Sequence, residues 1–255
     1  MPVSDDMGGG GRLDDRVPYL ARIDERTRNE LLALGREMSY PARAVLLRES
    51  EPSSHVLLIR RGWLKVTSTA VTGHEALLAL RGPGDVVGEG AALNGAPRSA
   101  TVSALERVEA TVISAERFTG FLQDRPQAAL HLLSLISDRL RTGDRRRLEY
   151  GASTVEERLS RLLLELAERH GERADGGGVV IRVPLTQQEL AGAIGASREA
   201  VTRTLRVLRT REVVVTRRRH LVVLRPEVLR RIGGAPAGAG RPGADRRCSG
   251  GRPHR

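Results

Sequence analysis

The hydrophobic positions change their spacing along the chain, and the changes divide it into parts. Between about residues 42 and 114 the apolar runs are short, with turn residues such as Pro52, Gly62 and Asn94-Gly95 between them. Many short strands separated by turn signals predict an antiparallel β-sandwich or roll. The runs are Val45–Leu47, Val56–Ile59, Leu64–Val66, Leu77–Leu80, Val86–Val87, Ala100–Val102 and Ala110–Ile113.

Helical spacing flanks this β region on both sides. We expect Asp24 to cap a short helix that runs through Gly35, with Leu31, Leu32 and Leu34 turned inward, and another helix from Ala115 to Leu122. A long helix should follow over residues 127–150 and a further one over residues 155–169, with a hinge at Gly151 to Ser153 between them. The pattern as a whole predicts an α+β fold.

A helix-turn-helix is predicted near the C-terminal end. Thr186 and Glu189 form a capping box, Leu190, Ala191 and Ile194 make one apolar face, and Gly195 can end this first helix. Ser197 then caps a second helix, whose inner face is Val201, Leu205 and Leu208. In this motif the second helix enters the DNA major groove.

The outer face of the second helix is basic, which distinguishes it from an ordinary amphipathic helix pair. Arg198 and Arg203 can donate to guanine, and Glu199 can accept from cytosine N4. The strands Val213–Thr216 and Leu221–Leu224 follow and predict a β-hairpin wing. We expect phosphate contacts from hydroxyls at the helix starts and from the turn of the wing, namely Thr186, Ser197, Thr202, Arg217, Arg218 and Arg219.

Composition supports a polyanionic partner. The 255 residues carry a formal net charge of +11, almost all of it from arginine, since Lys65 is the only lysine. The aromatic content of 2% argues against a single-strand binder that stacks bases. One cysteine, Cys248, excludes a disulfide framework and any cysteine-ligated cluster, and the six histidines lack metal-ligand spacing. With no membrane-length apolar run and no signal peptide at the start, we expect a soluble, cytoplasmic protein.

The long helix carries an a/d seam of Leu133, Ile136, Leu140 and Gly143. The seam can pack on the protein's own sheet or pair with its twin in a homodimer. We favour the homodimer, because a helix-turn-helix that reads a two-fold operator needs two copies.

A second segment with candidate chemistry runs from Gly88 to Val102. Gly88 allows close backbone approach, Arg98 after Pro97 is placed to open a strand, and Ser99 adds a hydroxyl and an N–H. A guanidinium is a bidentate donor to phosphate, and Glu89 could accept from a sugar hydroxyl. These groups suit a phosphorylated sugar, and the alternative is an Arg98–Glu89 ion pair that closes a surface loop.

The span from about Tyr19 to Arg231 resembles the Crp–Fnr superfamily of bacterial transcription regulators. Gly88-Glu89 with Pro97-Arg98-Ser99-Ala100-Thr101-Val102 is similar to the family's phosphate-binding cassette, and Ser197-Arg198-Glu199 with Arg203 looks like its recognition helix. The resemblance implies an N-terminal cyclic-nucleotide-binding β-roll, a long dimerisation helix and a C-terminal winged helix-turn-helix. It also implies that Glu89 meets a ribose hydroxyl and that Arg98 and Ser99 hold a cyclic phosphate.

One position departs from the family pattern. Nucleotide-binding members present threonine or serine to the purine from the long helix, where this chain has Gly143-Asp144. Asp144 can accept from an adenine amino group. Cyclic AMP, cyclic GMP and ligand-independent action therefore remain alternatives, and no cofactor is required. The iron–sulfur and haem-sensing branches fit poorly, because no cysteine precedes the roll and His74 stands alone in a turn.

The domain boundaries and partners follow from this interpretation. We expect a disordered arm over residues 1–18, the roll over 19–126, the dimerisation helix over 127–150, the winged domain over 151–232 and a disordered tail over 233–255. Double-stranded DNA, a small effector and a second copy are the expected partners, and RNA polymerase is a further candidate. The rival hypotheses are a regulatory subunit of an enzyme and a nonspecific nucleoid binder, although the sequence contains no nucleophile–base pair, metal cluster or P-loop.

Overall fold

The computed structural model describes residues 17–69, 75–174, 177–217 and 220–234. The helices are α1 (Tyr19–Arg22), α2 (Glu25–Ala33), α3 (Glu89–Asn94), α4 (Ala115–Asp124), α5 (Pro126–Ala152), α6 (Val155–His170), α7 (Gln187–Ile194), α8 (Arg198–Thr210) and α9 (Pro226–Ile232). The strands are β1 (Arg36–Tyr40), β2 (Val45–Leu47), β3 (Val56–Arg61), β4 (Leu64–Thr69), β5 (Glu75–Arg81), β6 (Val86–Val87), β7 (Thr101–Ala104), β8 (Val108–Ile113), β9 (Gly171–Arg173), β10 (Val179–Ile181), β11 (Val214–Arg217) and β12 (His220–Val223).

The N-terminal roll is built from two antiparallel four-stranded sheets. One sheet has the order β1-β8-β3-β6 and the other the order β2-β7-β4-β5. The packing of strand β3 explains why its sequence is apolar at four successive positions. Leu57 and Ile59 pack between the two sheets, whereas Val56 and Leu58 pack under the helices on the other face. A strand buried on both faces has no polar alternation.

Helices α1, α2, α4 and the first half of α5 cover the outer face of the first sheet. The Tyr19 hydroxyl donates to the carbonyl oxygen of Ala128 over 3.1 Å, and Nη2 of Arg22 lies 2.9 Å from Oδ2 of Asp138. Both side chains of this ion pair are almost fully buried. These contacts fix the start of α5 against the roll.

The C-terminal part is a winged helix-turn-helix. Helices α6, α7, α8 and α9 enclose a core that includes Leu163, Leu190, Leu205 and Leu229, and the sheet β11-β12-β10-β9 closes one side of it. The α+β fold, the antiparallel roll and the winged helix-turn-helix predicted from the sequence are thus confirmed. Among the described residues, none of the helices has the length and apolar character of a membrane span.

Several elements differ from the expectations. Strand β1 was not predicted, because its sequence is polar and its side chains are mostly exposed; it forms by pairing with β8. Helix α3 was also not predicted, and it lies between Gly88 and Gly95, both in the left-handed region. Short elements flanked by glycine or composed of polar residues carry little periodicity. The elements β9 and α9 were missed for the same reason.

The predicted hinge and two boundaries also shift. Helix α5 continues through Ala152, so the break before α6 lies at Ser153 and Thr154 rather than at Gly151. Thr154 starts α6 with a complete capping box, which explains the position of the break. Strand β7 begins at Thr101, so Arg98 precedes its strand and does not open it. Residues 17 and 18, expected in a disordered arm, are ordered here: Arg22 Nε donates to the Val17 carbonyl over 2.9 Å.

Candidate anion-binding and nucleic-acid-binding sites

Arg98 is a buried cation on the roll, with 4% of its surface exposed. Its Nε donates to Oγ of Ser53 over 2.9 Å, Nη1 to the carbonyl of Gly88 over 2.8 Å and Nη2 to the carbonyl of His55 over 2.6 Å. All three acceptors are neutral oxygens. The guanidinium is therefore held in place by hydrogen bonds to neutral groups, and no carboxylate of the described residues is in direct contact with it.

Gly88 makes this arrangement possible. Its φ is +84°, and a Cβ at this position would lie 2.6 Å from Nη1 of Arg98. The close backbone approach that the sequence predicted at Gly88 is real, but the group that approaches is the Arg98 guanidinium. Residues with a side chain would be strained here and would also collide with it.

Glu89 does not pair directly with Arg98. Its Oε1 lies 2.5 Å from Nη1 of Arg139, and Nη2 of Arg139 donates to the carbonyl of Val86 over 3.0 Å. Both side chains of the pair are about 15% exposed. The alternative ion pair between Arg98 and Glu89 is therefore wrong, because Glu89 at the start of α3 turns toward the long helix α5 instead.

The charges around Arg98 act on two pKa values. Burial lowers the pKa of Arg98, and the carboxylates of Glu89 and Glu51 oppose that effect. Burial also lowers the pKa of His55, and the positive charge of Arg98 lowers it further. His55 therefore favours its neutral form beside a permanent cation.

The remaining predicted ligand residues are more exposed. Ser99 is exposed next to Arg98, and Gly143 and Asp144 are exposed on α5, the helix that also carries Arg139. A Cβ at Gly143 would meet no atom within 4 Å in the protomer. The contact of Asp144 with a purine remains a prediction.

The helix-turn-helix has the local structure that the sequence predicts. Thr186 and Glu189 form a complete capping box at α7, and Gly195 ends that helix with φ of +59°. The Ser197 side chain accepts from the N–H of Ala200 and so caps α8. Thr202 is half-buried, with Oγ1 lying 2.7 Å from Oε1 of Gln187, so its hydroxyl joins the two helices.

The base-reading candidates lie on the free face of α8. Arg198, Glu199 and Arg203 are exposed, whereas Val201 and Leu205 on the opposite face are buried. Exposed Arg206 and Arg209 extend the basic surface along the same helix. This arrangement suits insertion of one helix face into the major groove.

The wing is the hairpin of β11 and β12, in which Arg217 pairs with His220. Arg217 is exposed, and Arg209 of α8 donates to the Thr216 hydroxyl over 3.2 Å, so the wing and α8 are joined. Arg218 and Arg219 lie outside the described residues, as does His74. The predicted phosphate contacts of Thr186 and Ser197 fall at exposed helix starts.

The predicted seam of α5 lies largely on a free surface. Leu133 and Leu140 are 63% and 64% exposed, and Leu130 one turn earlier is 56% exposed. Ile136 differs, because it also packs against the core under the first sheet. The buried face of α5 is a separate stripe that includes Leu132 and Leu135.

The motif analysis missed three polar partners. Ser53 and His55 lie before β3 and hold Arg98, and Arg139 holds Glu89. No local pattern marks these residues, because each is far from its partner in the sequence.

Comparisons with known proteins agree with this architecture. A family model described as a cyclic nucleotide-binding domain matches residues 37–125, and one described as a Crp-like helix-turn-helix domain matches residues 157–232. The solved structure of FixK2 from Bradyrhizobium japonicum has a TM-score of 0.70 at 22% identity and covers 80% of this chain and 99% of that chain. That likeness shows the shared fold.

Curated relatives are transcriptional regulators. The "CRP-like cAMP-activated global transcriptional regulator" of Mycobacterium tuberculosis is 30% identical over 168 residues, which cover 66% of this chain and 75% of that protein. The "Probable transcriptional regulator flp" of Lacticaseibacillus casei is 28% identical over 211 residues, 83% of this chain and 93% of that protein. These relatives do not favour the rival hypothesis of an enzyme subunit. The chain belongs to the Crp–Fnr superfamily of transcription regulators, with a cyclic nucleotide-binding domain followed by a Crp-like helix-turn-helix.

Proposed function

We propose that this regulator is a homodimer that binds a specific DNA sequence and that a cyclic nucleotide bound in the roll sets its DNA affinity. The proposal of a cyclic-nucleotide effector rests on Arg98. It is a buried guanidinium whose described hydrogen bonds go only to neutral oxygens. Cyclic AMP is the first effector to test, because the Mycobacterium tuberculosis relative is named as cAMP-activated. Cyclic GMP is the second.

The residues fit a cyclic phosphate. A guanidinium has five N–H groups, and Arg98 uses three of its donors on Ser53, Gly88 and His55. The remaining donors, and a positive charge with no carboxylate of the described residues in direct contact, suit a monoanion, which forms charge-assisted hydrogen bonds. Exposed Ser99 adds a hydroxyl beside it, and Glu89 can accept from a sugar hydroxyl. Asp144 on α5 would face the base.

The proposal of sequence-specific DNA binding rests on the exposed helix α8. Arg198 and Arg203 would donate to guanine O6 and N7, and Glu199 would accept from cytosine N4. Thr186, Ser197, Thr202 and Arg217 would contact phosphates, as would Arg218 and Arg219, which follow Arg217 in the sequence. Two copies per dimer would meet half-sites about one helical turn, or ~34 Å, apart.

The dimer rests on α5. Leu130, Leu133 and Leu140 are large apolar side chains on one exposed helix face. Their spacing of three and seven residues is that of a coiled-coil seam, which a twin helix would cover. Ile136 at the edge of this face would contribute while it also supports the core of its own protomer.

Calorimetry on the full-length protein tests the effector. We expect cyclic AMP or cyclic GMP to bind the wild type and the Arg98→Leu variant to lose about 2–3 kcal/mol of binding free energy, the value of a charge-assisted contact. The carbonyls of Gly88 and His55 also lose a donor, so circular dichroism must show that the variant is folded. If neither nucleotide binds the folded wild type, the protein is a regulator that acts without a cyclic nucleotide.

Selection of binding sites from random duplex DNA tests the regulator. We expect an enriched, two-fold symmetric sequence, with a higher yield when the effector is present. A nonspecific nucleoid binder would bind every duplex with similar affinity and would give no enriched sequence.

A further inference from the structure

The winged domain packs against one edge of the roll. Strand β5 is the outer strand of its sheet and pairs with β4, and α7 of the helix-turn-helix lies against it. Exposed edge strands tend to pair with other chains, and proteins often cover them with a helix. Helix α7 therefore uses two faces: one packs against α8 and the other covers β5.

Gly192 lets α7 approach the strand closely. A Cβ at this position would lie 3.2 Å from the carbonyl oxygen of Glu75 and 3.3 Å from the backbone nitrogen of Leu77. Both atoms belong to the backbone of β5, which cannot move aside as a flexible side chain can. A glycine inside a helix is otherwise unfavourable, so its presence here is explained by this contact.

An ion cluster closes the same interface. Nζ of Lys65 on β4 lies 3.2 Å from Oε1 of Glu75 and 3.2 Å from Oε1 of Glu189 on α7. The side chains of Lys65 and Glu189 are only 21% and 15% exposed, so solvent screens this pair less than a surface ion pair. Burial by itself lowers the pKa of Lys65, but the two carboxylates more than offset it, and the pKa of Lys65 is raised.

Glu189 has a second role through its other oxygen. Its Oε2 accepts from the N–H of Thr186 over 2.8 Å and lies 2.9 Å from the Thr186 hydroxyl. One carboxylate thus completes the cap of the helix-turn-helix and binds the roll. Any movement of β4 that shifts Lys65 acts directly on the start of α7.

We propose that Lys65 and Glu189 form an interdomain latch that holds the helix-turn-helix on the edge of the roll. Lys65 is a positioning residue for DNA recognition, because it acts on Thr186 and α8 through Glu189. The latch also transmits the state of the roll to the DNA-binding surface, a part of the proposal that rests on the proposed function. A lysine suits the position, since its ammonium is a compact charge that two carboxylates can share.

Hydrogen exchange of the full-length protein without ligand or DNA tests the latch. In Lys65→Met and in Glu189→Gln, the amides of β5 and α7 should exchange about fivefold to tenfold faster, as expected when a partly buried ion pair is lost. The glutamine keeps an oxygen for the Thr186 N–H, so the cap survives. The double variant should exchange no faster than Lys65→Met, because that substitution already removes the Lys65–Glu189 pair.

Matched controls separate the latch from general loss of stability. Arg182→Met breaks the exposed Arg182–Glu172 pair inside the winged domain and should leave exchange in β5 unchanged. Gly192→Ala should speed exchange at the interface by forcing α7 outward, whereas Gly120→Ala in α4, where a Cβ meets no atom within 4 Å, should not. Wild-type protection of β5 in both Lys65→Met and Glu189→Gln would overturn the latch.

DNA affinity with and without cyclic AMP tests the transmission. In Lys65→Met we expect the ratio of the two affinities to fall toward one while calorimetric affinity for cyclic AMP stays at the wild-type value. A wild-type ratio in this variant would overturn transmission through Lys65. If cyclic nucleotides do not change the DNA affinity of the wild-type protein, the proposed function is refuted instead. The hydrogen-exchange experiment alone would then test whether the latch exists.

Discussion

Arg139 of the long helix binds Glu89 at the start of α3, with Nη1 and Oε1 2.5 Å apart. Glu89 is the residue expected to meet the sugar of the effector, and Arg139 lies on the helix that carries the proposed dimer seam. The proposed ligand site and the helix of the proposed dimer seam are therefore joined by a partly buried ion pair. A ligand that changes the position of Glu89 must also act on α5.

Replacement of Arg139 should weaken binding of the effector. In Arg139→Gln the carboxylate of Glu89 keeps its charge but loses its ion pair with Arg139, so it repels an incoming cyclic phosphate more strongly and is less well placed for a hydroxyl. We expect about tenfold weaker binding of the cyclic nucleotide by calorimetry, which corresponds to about 1.4 kcal/mol of binding free energy. Arg139→Lys keeps the positive charge and should lose less. Equal losses in the two variants would argue against an electrostatic role.

The dimer seam is best tested at Leu133, because its side chain is 63% exposed in the protomer. In Leu133→Asp a dimer would bury an unpaired charge, so the dimer dissociation constant should rise by on the order of 100-fold or more. Sedimentation equilibrium measures this constant. Met38→Asp, at another exposed apolar side chain on β1, is the matched control and should remain a dimer. Unchanged dimerisation of Leu133→Asp would place the interface elsewhere.

Substitution of an arginine in α8 and of one in the wing should change DNA binding in different ways. Arg203→Ala should cost roughly 1–3 kcal/mol of DNA binding and remove the preference at one base pair of the half-site. Arg217→Ala should weaken all sequences alike and reduce the slope of log affinity against log salt by about one unit. Site selection and salt titration of both variants distinguish the two behaviours. If Arg203→Ala retains the wild-type sequence preference, α8 does not read bases as proposed.

His55 should make the stability of the roll depend on pH. Burial and the charge of Arg98 lower its pKa in the folded protein below the ordinary value of 6.5, so the unfolded chain binds the proton more readily. The contribution of His55 is absent above about pH 6.5 and destabilises the fold increasingly as pH falls below it. Urea unfolding between pH 5 and pH 8, compared with His55→Gln, measures this slope. A steeper loss of stability in the variant than in the wild type would contradict the assignment.

The sequence alone determined the helix caps and most strands of the roll. The caps of α2, α7 and α8 were predicted at Asp24, Thr186 and Ser197, and each side chain accepts the expected backbone N–H. Such bonds join residues three apart, so helix geometry dictates them wherever the chain folds into a helix. The spacing of apolar residues likewise indicated which strands lie in the roll. A strand buried on one face is apolar at alternate positions, and a strand buried on both faces is apolar at successive positions.

The tertiary structure decided which distant charges meet. Nothing near Glu89 predicts that it binds Arg139, 50 residues away, or that Arg98 binds carbonyl oxygens instead of Glu89. The contact of Lys65 with Glu189 likewise exists only because α7 packs on the edge of β5. Ion pairs between elements depend on the distance and angle at which sheets and helices pack, and those quantities arise from the whole core. The motifs therefore located the two sites in the sequence, while packing connected each of them to another part of the molecule.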